Sequence, residues 1–137
     1  MQRSLDSSIV LRSLLVIALC VPLLAQMKQG PQVAKVVPLN VHGSEYQPVL
    51  SGPPETVTMH SGLVVLAPDH SVGKHSTGRH EEVLIVLEGK GEMILGDGHT
   101  LPVEANHAVY CPPGTTHDVR NTGRKPLRYV YVVAQAE

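Results

Sequence analysis

Turn signals recur along most of this chain, and their spacing is the feature that most constrains the fold. Short β-branched and apolar runs are separated by Gly- and Pro-containing breaks, such as 89–91, 96–98 and 112–114. Strands that recur at intervals of about ten residues with turns between them are typical of a sandwich or barrel. No segment after residue 25 has a convincing helical pattern. We therefore predict an all-β protein built as a single small antiparallel β-barrel of the jelly-roll type.

The predicted strands differ in how they should be buried. Residues 82–88 are apolar on both faces, which predicts a strand covered on both sides. Residues 33–39 predict an edge strand, since Pro38 cannot donate to a ladder, and residues 43–54 read as an irregular loop. The remaining predicted strands are 61–67, 92–95, 99–103, 107–111, 116–121 and 127–133.

Composition and charge limit the classes of partner. The chain has 137 residues, of which 42% are hydrophobic, and its 12 Gly and 11 Pro suit a protein rich in turns. Its length fits one domain. A formal net charge of −1 with dispersed Lys and Arg gives no footprint for nucleic acid and no polybasic membrane patch. A small molecule is the expected partner.

The N-terminal segment predicts export. Arg3 and Arg12 precede an apolar run at 14–25, which at 12 residues has the length of a signal-peptide core and is shorter than the ~20 residues of a membrane-spanning helix. We assign 1–25 to a signal peptide, 26–56 to a linker with an edge strand, and 57–137 to the barrel. The mature protein is then secreted or periplasmic, with no membrane association after cleavage. An uncleaved N-terminal membrane anchor is the alternative.

Imidazoles and a carboxylate cluster at two places in the sequence. His75, His80 and Glu82 lie close together, and His117 follows about 35 residues after Glu82. Only a folded sheet could bring the two groups together, and these are the side chains that bind divalent transition metals. The other histidines are assigned no role, because a lone His on a strand is usually a surface or core group; they are His42, His60, His70, His99 and His107.

Two segments resemble the consensus motifs of the cupin superfamily. The first is His75-x-Thr77 followed by Glu82 and Gly89, and the second is Pro112-x-Gly114-x-x-His117 with Asn121 at its end. The resemblance covers roughly residues 60–134. It implies a small metal-binding β-barrel in which His75, Glu82 and His117 are ligands and Asn121 is the residue that ends the second motif.

The first motif departs from the family pattern. Asp69 and Asn106 stand where the two motifs begin with Gly, and Asn tolerates left-handed backbone. Thr77 stands where a second His is expected, and a hydroxyl is a weak ligand. Because side chains alternate along a strand, an inward Glu82 implies that His80 also faces inward. We therefore predict His75, His80, Glu82 and His117 as the metal ligands, with Glu81 turned outward.

This donor set suits a divalent Fe, Mn, Ni, Cu or Zn ion, and affinity order alone does not choose among them. Glu82 could act as a ligand, or as a base if it leaves the metal. The resemblance implies a metal-binding protein that acts on or binds a small oxygen-containing molecule, with dioxygenase or isomerase chemistry as options. Together with the predicted signal peptide, it indicates an exported protein. Whether the protein is an enzyme stays open.

Two further hypotheses belong to other classes of protein. If the Thr77 departure leaves the metal site weak or absent, the barrel is a non-catalytic module that binds a sugar or signal ligand. A homodimer could also form through the strand at 33–41. Among single residues, Cys111 is expected to be a small buried hydrophobe, since Cys20 lies in the predicted leader and leaves it without a partner. Cavity-lining and core side chains are expected at Leu63, Val65, Met93, Leu95, Tyr110, Tyr129 and Tyr131.

Overall fold

The computed structural model describes residues 32–136, so the predicted signal peptide at 1–25 lies outside the described residues. No helix within 32–136 is long and apolar enough to cross a membrane. The described part of the chain forms nine strands: β1 (Gln47–Ser51), β2 (His60–Leu66), β3 (His75–Ser76), β4 (His80–Glu88), β5 (Lys90–Leu95), β6 (Thr100–Glu104), β7 (Ala108–Cys111), β8 (Thr116–Asn121) and β9 (Leu127–Gln135).

The strands form two antiparallel sheets. The larger sheet has the order β1-β2-β9-β4-β7, and the smaller has the order β3-β8-β5-β6. Chain neighbours such as β4 and β5 belong to different sheets, as expected for a jelly roll in which the chain crosses between layers. The predicted all-β class and barrel architecture are confirmed, and the predicted strand at 116–121 matches β8 in both of its bounds.

The core lies between the two sheets. Leu84 and Val86 of β4 meet Met93 of β5 and Val119 of β8 there, and each of these side chains is at most 2% exposed. The prediction that β4 is buried on both faces is wrong, because Ile85 is 43% exposed. Among residues 32–136, a second layer covers only the inner face of β4. Alternation therefore decides burial even though both faces are apolar in sequence.

The first strand is not where the sequence placed it. Residues 33–39 form no strand, and Val36 is 93% exposed. One edge strand of the larger sheet is β1, which lies inside the segment predicted as an irregular loop. The Gln47 side chain explains part of this: its amide donates to the Pro38 carbonyl at 2.9 Å and accepts from the Asn40 N–H at 2.9 Å. These backbone groups are therefore satisfied without a ladder.

Both residues that replace a motif glycine adopt left-handed backbone. Asp69 has a φ of 65° and Asn106 a φ of 66°, a conformation that Asn and Asp tolerate better than most residues with a side chain. The motif position therefore keeps its backbone conformation although its residue has changed. The hairpin predicted at 96–98 also forms, with β5 paired to β6 and a φ of 90° at Gly98.

Candidate metal centre

Three of the four predicted ligands converge between the sheets. His75 on β3 lies directly opposite His117 on β8 in the smaller sheet, and Glu82 faces them from β4 of the larger sheet. Each residue offers one ligand atom, and these atoms all lie within 4.8 Å of one another. Residues 42 positions apart in the chain are thus brought to one point by strand pairing and by the packing of the two sheets.

His117 is the most buried member of the group. Its side chain is 1% exposed, and Nε2 lies 3.3 Å from Oε2 of Glu82. Within residues 32–136, the buried Nε2 has no hydrogen-bond partner. The neighbouring Glu82 carboxylate raises the pKa of His117, and burial opposes that shift by disfavouring the charged ring. His117 Nδ1 lies 3.4 Å from the Thr115 carbonyl oxygen, so a proton on Nδ1 would leave the buried Nε2 with a lone pair for a metal ion.

His75 is oriented for the same purpose. Its Nδ1 lies 2.8 Å from the Gly73 carbonyl oxygen, which can only accept, so Nδ1 carries the proton and Nε2 is left with a lone pair. A backbone carbonyl on the second ring nitrogen is the usual support of a metal-binding His. The ring centroids of His75 and His117 are 4.3 Å apart. His75 is exposed, so the group opens to solvent on this side.

Glu82 supplies the oxygen donor. It is 9% exposed and lies on the inward face of β4 with Leu84 and Val86. A carboxylate in such surroundings needs a cation or hydrogen-bond donors. Two imidazoles and one carboxylate form a donor set that suits divalent transition metals and leaves coordination positions for a ligand. On these observations the three residues fit a metal ion.

The structure does not bring His80 to the other three residues. His80 is half-buried at the start of β4, and its parity with Glu82 is as predicted. His80 is two residues from Glu82 along β4, a distance of about 7 Å, and it is not a member of the converging group. Thr77 does not substitute, because its Oγ1 donates to the Pro112 carbonyl and accepts from the Thr115 N–H, both at 2.9 Å. The group therefore offers three ligands.

A cavity of about 270 Å³ adjoins the group. The predicted lining residues Leu63, Val65, Met93 and Leu95 do not line it. In β2 the prediction chose the wrong face of the strand, because Val64 rather than Leu63 and Val65 lines the cavity. The run 63–66 is apolar throughout, so its sequence shows no alternation. The residues that line the cavity are Val64, Val72, His75, Ser76, Thr77, Glu82, His117, Val119, Tyr129, Tyr131 and Val133.

The side chains around the cavity have perturbed acidities. Cys111 is 1% exposed, as expected of a buried hydrophobe, and burial with the nearby Glu82 charge raises its thiol pKa to about 11. Burial and Glu82 also raise the pKa of Tyr129 and of Tyr131, so both hydroxyls keep their protons at neutral pH. Tyr110 instead lies outside, 57% exposed, and donates to Glu81, which is turned outward as predicted.

The family model for the cupin domain matches residues 62–133, which is more than half of the chain. The chain belongs to the cupin family. Among solved structures, a cupin 2 conserved barrel domain protein from Salinispora arenicola is 25% identical, with a TM-score of 0.62 over 76% of this chain and 91% of that one. The polyketide cyclase RemF from Streptomyces resistomycificus is 22% identical with a TM-score of 0.57, covers 65% of this chain and 63% of that one, and supports the fold alone.

Curated relatives of this cupin have diverse names. The polyketide synthase CurC of Streptomyces cyaneus is 30% identical over 102 residues, 72% of this chain and 64% of the relative. A glucose-6-phosphate isomerase of Pyrococcus abyssi is 36% identical over 62 residues, 42% and 33% respectively. An oxalate-binding protein of Thermotoga maritima is 29% identical over 68 residues, 50% and 55% respectively. The cupin thus spans between a third and two thirds of the length of these relatives.

Proposed function

We propose that this cupin holds a divalent metal ion at His75, Glu82 and His117, and that the adjoining cavity binds a small oxygen-bearing molecule. The observation that carries the proposal is the buried Nε2 of His117, which has no hydrogen-bond partner within residues 32–136 and lies 3.3 Å from the Glu82 carboxylate. A bound cation would satisfy both groups at once, which no neighbouring side chain of the described residues does.

Each residue near the proposed metal would have a separate role. The Gly73 carbonyl fixes the tautomer of His75, and burial in β8 fixes the ring of His117. Glu82 is the only carboxylate lining the cavity among residues 32–136, so it is the group that would accept a proton from a bound ligand. A divalent ion held there would supply Lewis acidity toward the oxygen of the ligand. This arrangement would serve isomerase or dioxygenase chemistry.

Metal content tests the proposal directly. The purified protein is dialysed against Mn²⁺, Fe²⁺, Ni²⁺, Cu²⁺ or Zn²⁺ and analysed by mass spectrometry, together with a His75→Ala/His117→Ala double variant. We expect about one ion per chain in the native protein and a loss of affinity of at least 100-fold in the variant. Circular dichroism verifies that the variant is folded.

A second double variant serves as the matched control. His99→Ala/His107→Ala also removes two imidazoles, both of them exposed and away from the cavity. This control is expected to bind metal as the native chain does. Metal that stays substoichiometric in the native chain, and does not fall further in the His75/His117 variant, contradicts the proposal.

A non-catalytic binding module is the second candidate function. It is favoured by the fact that Thr77 is engaged with the Pro112 loop and His80 lies outside the group, so no fourth ligand is present in the described part of the chain. The name of one curated relative is that of an oxalate-binding protein and another is auxin-binding protein 1 of Arabidopsis thaliana, 30% identical over 83 residues. A cavity that binds ligand equally well with and without a chelator would favour this candidate.

We further propose that the protein is exported through residues 1–25 and works outside the cytoplasm. Arg3 and Arg12 before the apolar run at 14–25 support this. Mass spectrometry of the protein recovered from the medium or periplasm should give a chain that begins near Gln26. Full-length protein found in the cytosol contradicts export, and full-length protein in the membrane fraction supports the anchored alternative. The homodimer stays a prediction, and the strand proposed to mediate it does not form.

A further inference from the structure

The charge of the cavity indicates what class of ligand it accepts. Glu82 is an acid in its wall, and among residues 32–136 no lysine or arginine lines it. Val64, Val72, Val119 and Val133 are among the residues that line it. Away from the metal group, a phosphate or an additional carboxylate would lose its water without meeting a side-chain cation, which is costly. The cavity volume of about 270 Å³ is just below the usual range for small-molecule sites. The part of the cavity away from the metal group therefore suits an uncharged part of a small molecule.

Tyr131 lines the same cavity as the metal group. On β9, Val133 pairs with Glu82 and Tyr131 pairs with Leu84, one same-face step along the strand. Such a step is about 7 Å along the strand. A ligand with one oxygen at the His75, Glu82 and His117 group could thus carry a second oxygen to Tyr131.

Tyr46 holds this hydroxyl in place. Tyr46 precedes β1, and its hydroxyl lies 2.9 Å from that of Tyr131, 85 residues away. The contact crosses β2 at Gly62, where an added Cβ would lie 2.7 Å from the Tyr46 ring and 2.9 Å from the Tyr131 ring. Gly62 is therefore the residue that lets the two rings meet. Of two hydroxyls that bond to each other, one keeps a free proton, so the pair can still donate to a ligand.

We propose that the Tyr46–Tyr131 hydroxyl pair is a ligand-recognition site, and that the ligand is a small molecule with one oxygen at the metal group and an uncharged oxygen substituent at its other end. Tyr131 contacts the far oxygen, and Tyr46 is a positioning residue that orients Tyr131. The inference rests on the proposed function in one respect, since the near oxygen is the one that His75, Glu82 and His117 address.

Two matched neutral probes test the inference on the metal-loaded full-length protein. 4-Hydroxybenzyl alcohol has oxygen at both ends, and 4-methylphenol lacks the far oxygen. Dissociation constants come from ¹H–¹⁵N chemical-shift titration, with shifts at Val64, Val119 and Val133 as the sign of cavity binding. We expect the alcohol to bind about three- to tenfold more tightly, as one hydrogen bond predicts.

Three conservative variants assign the preference to the hydroxyls. Tyr131→Phe removes only the hydroxyl and should equalise the affinities of the alcohol and 4-methylphenol. Tyr46→Phe should reduce the preference while leaving the affinity for 4-methylphenol unchanged, an effect that general loss of packing would not produce. Tyr110→Phe is the control, because Tyr110 lies on the outer face and donates to Glu81; its preference should equal that of the native protein.

The outcomes separate this inference from the proposed function. Metal binding by the native chain combined with a preference that survives Tyr131→Phe overturns the inference and leaves the metal proposal standing. A preference that depends on Tyr131 in a chain that binds no metal supports the inference and overturns the metal proposal. The absence of cavity shifts with either neutral probe at millimolar concentration also overturns the inference.

Discussion

Asn121, which ends the second cupin motif, is expected to contribute more to stability than to ligand binding. Its side chain is fully buried, and Nδ2 donates to the Leu66 carbonyl at 2.8 Å and to the Lys125 carbonyl at 2.9 Å. Oδ1 accepts from the Gly123 N–H at 2.8 Å. One amide thus joins the end of β2 to the turn between β8 and β9.

Replacement by Ala removes all three hydrogen bonds, whose partners are the buried Leu66, the half-buried Gly123 and the exposed Lys125. At ~1 kcal/mol for each bond, Asn121→Ala should lower the free energy of unfolding by about 3 kcal/mol. For a domain of this size that corresponds to a fall in Tm of roughly 10–15 °C. The backbone bonds of Asn121 to Asp69 and His70 remain in the variant, so the loss reports the side chain alone.

Urea denaturation followed by circular dichroism measures this loss. Asn121→Asp keeps the acceptor for Gly123 but points a carboxylate at two carbonyl oxygens, so at pH 7 it should be at least as unstable as Asn121→Ala. Arg120→Ala, at the exposed neighbouring position of β8, is the control and should change stability by less than about 0.5 kcal/mol. A loss below ~1 kcal/mol in Asn121→Ala would refute the reasoning, since it would mean that water replaces the amide.

Two other predictions concern backbone conformation and thiol acidity. Asn106→Ala should lose about 1 kcal/mol because its φ of 66° is unfavourable for Ala, whereas Asn106→Gly should be near neutral; equal stabilities in urea denaturation would contradict this. Cys111, with its pKa raised to about 11, should resist iodoacetamide at pH 8 in the native protein and react in urea. The folded pKa of Cys111 lies above the unfolded value of ~8.5, so the contribution of this thiol to stability is complete below pH ~8.5 and is lost as the pH rises toward 11. Cys111→Ala should not show this loss. Rapid alkylation of the native protein would count against the burial argument.

The sequence predicted those parts of the structure that depend on local chemistry. Gly and Pro signals located the turns, so each strand predicted after residue 60 corresponds to a strand of the structure. The two-residue β3 is the strand in this region that the sequence did not predict. Motif spacing selected His75, Glu82 and His117, which the structure brings together. Asn106 was expected to tolerate left-handed backbone, and it adopts it. Each of these inferences needs only neighbouring residues or a fixed motif.

Features that join distant segments were decided by tertiary structure. The sequence could not show that Thr77 donates a hydrogen bond to the Pro112 carbonyl. It also could not show that His80, although on the same face of β4 as Glu82, lies outside the converging group of ligands. The contact of Tyr46 with Tyr131 across Gly62 had no sequence signal, because it depends on how β1, β2 and β9 are paired. Alternation along a strand gives the face on which a side chain lies, and only the register between strands and the packing of the two sheets gives what it meets there.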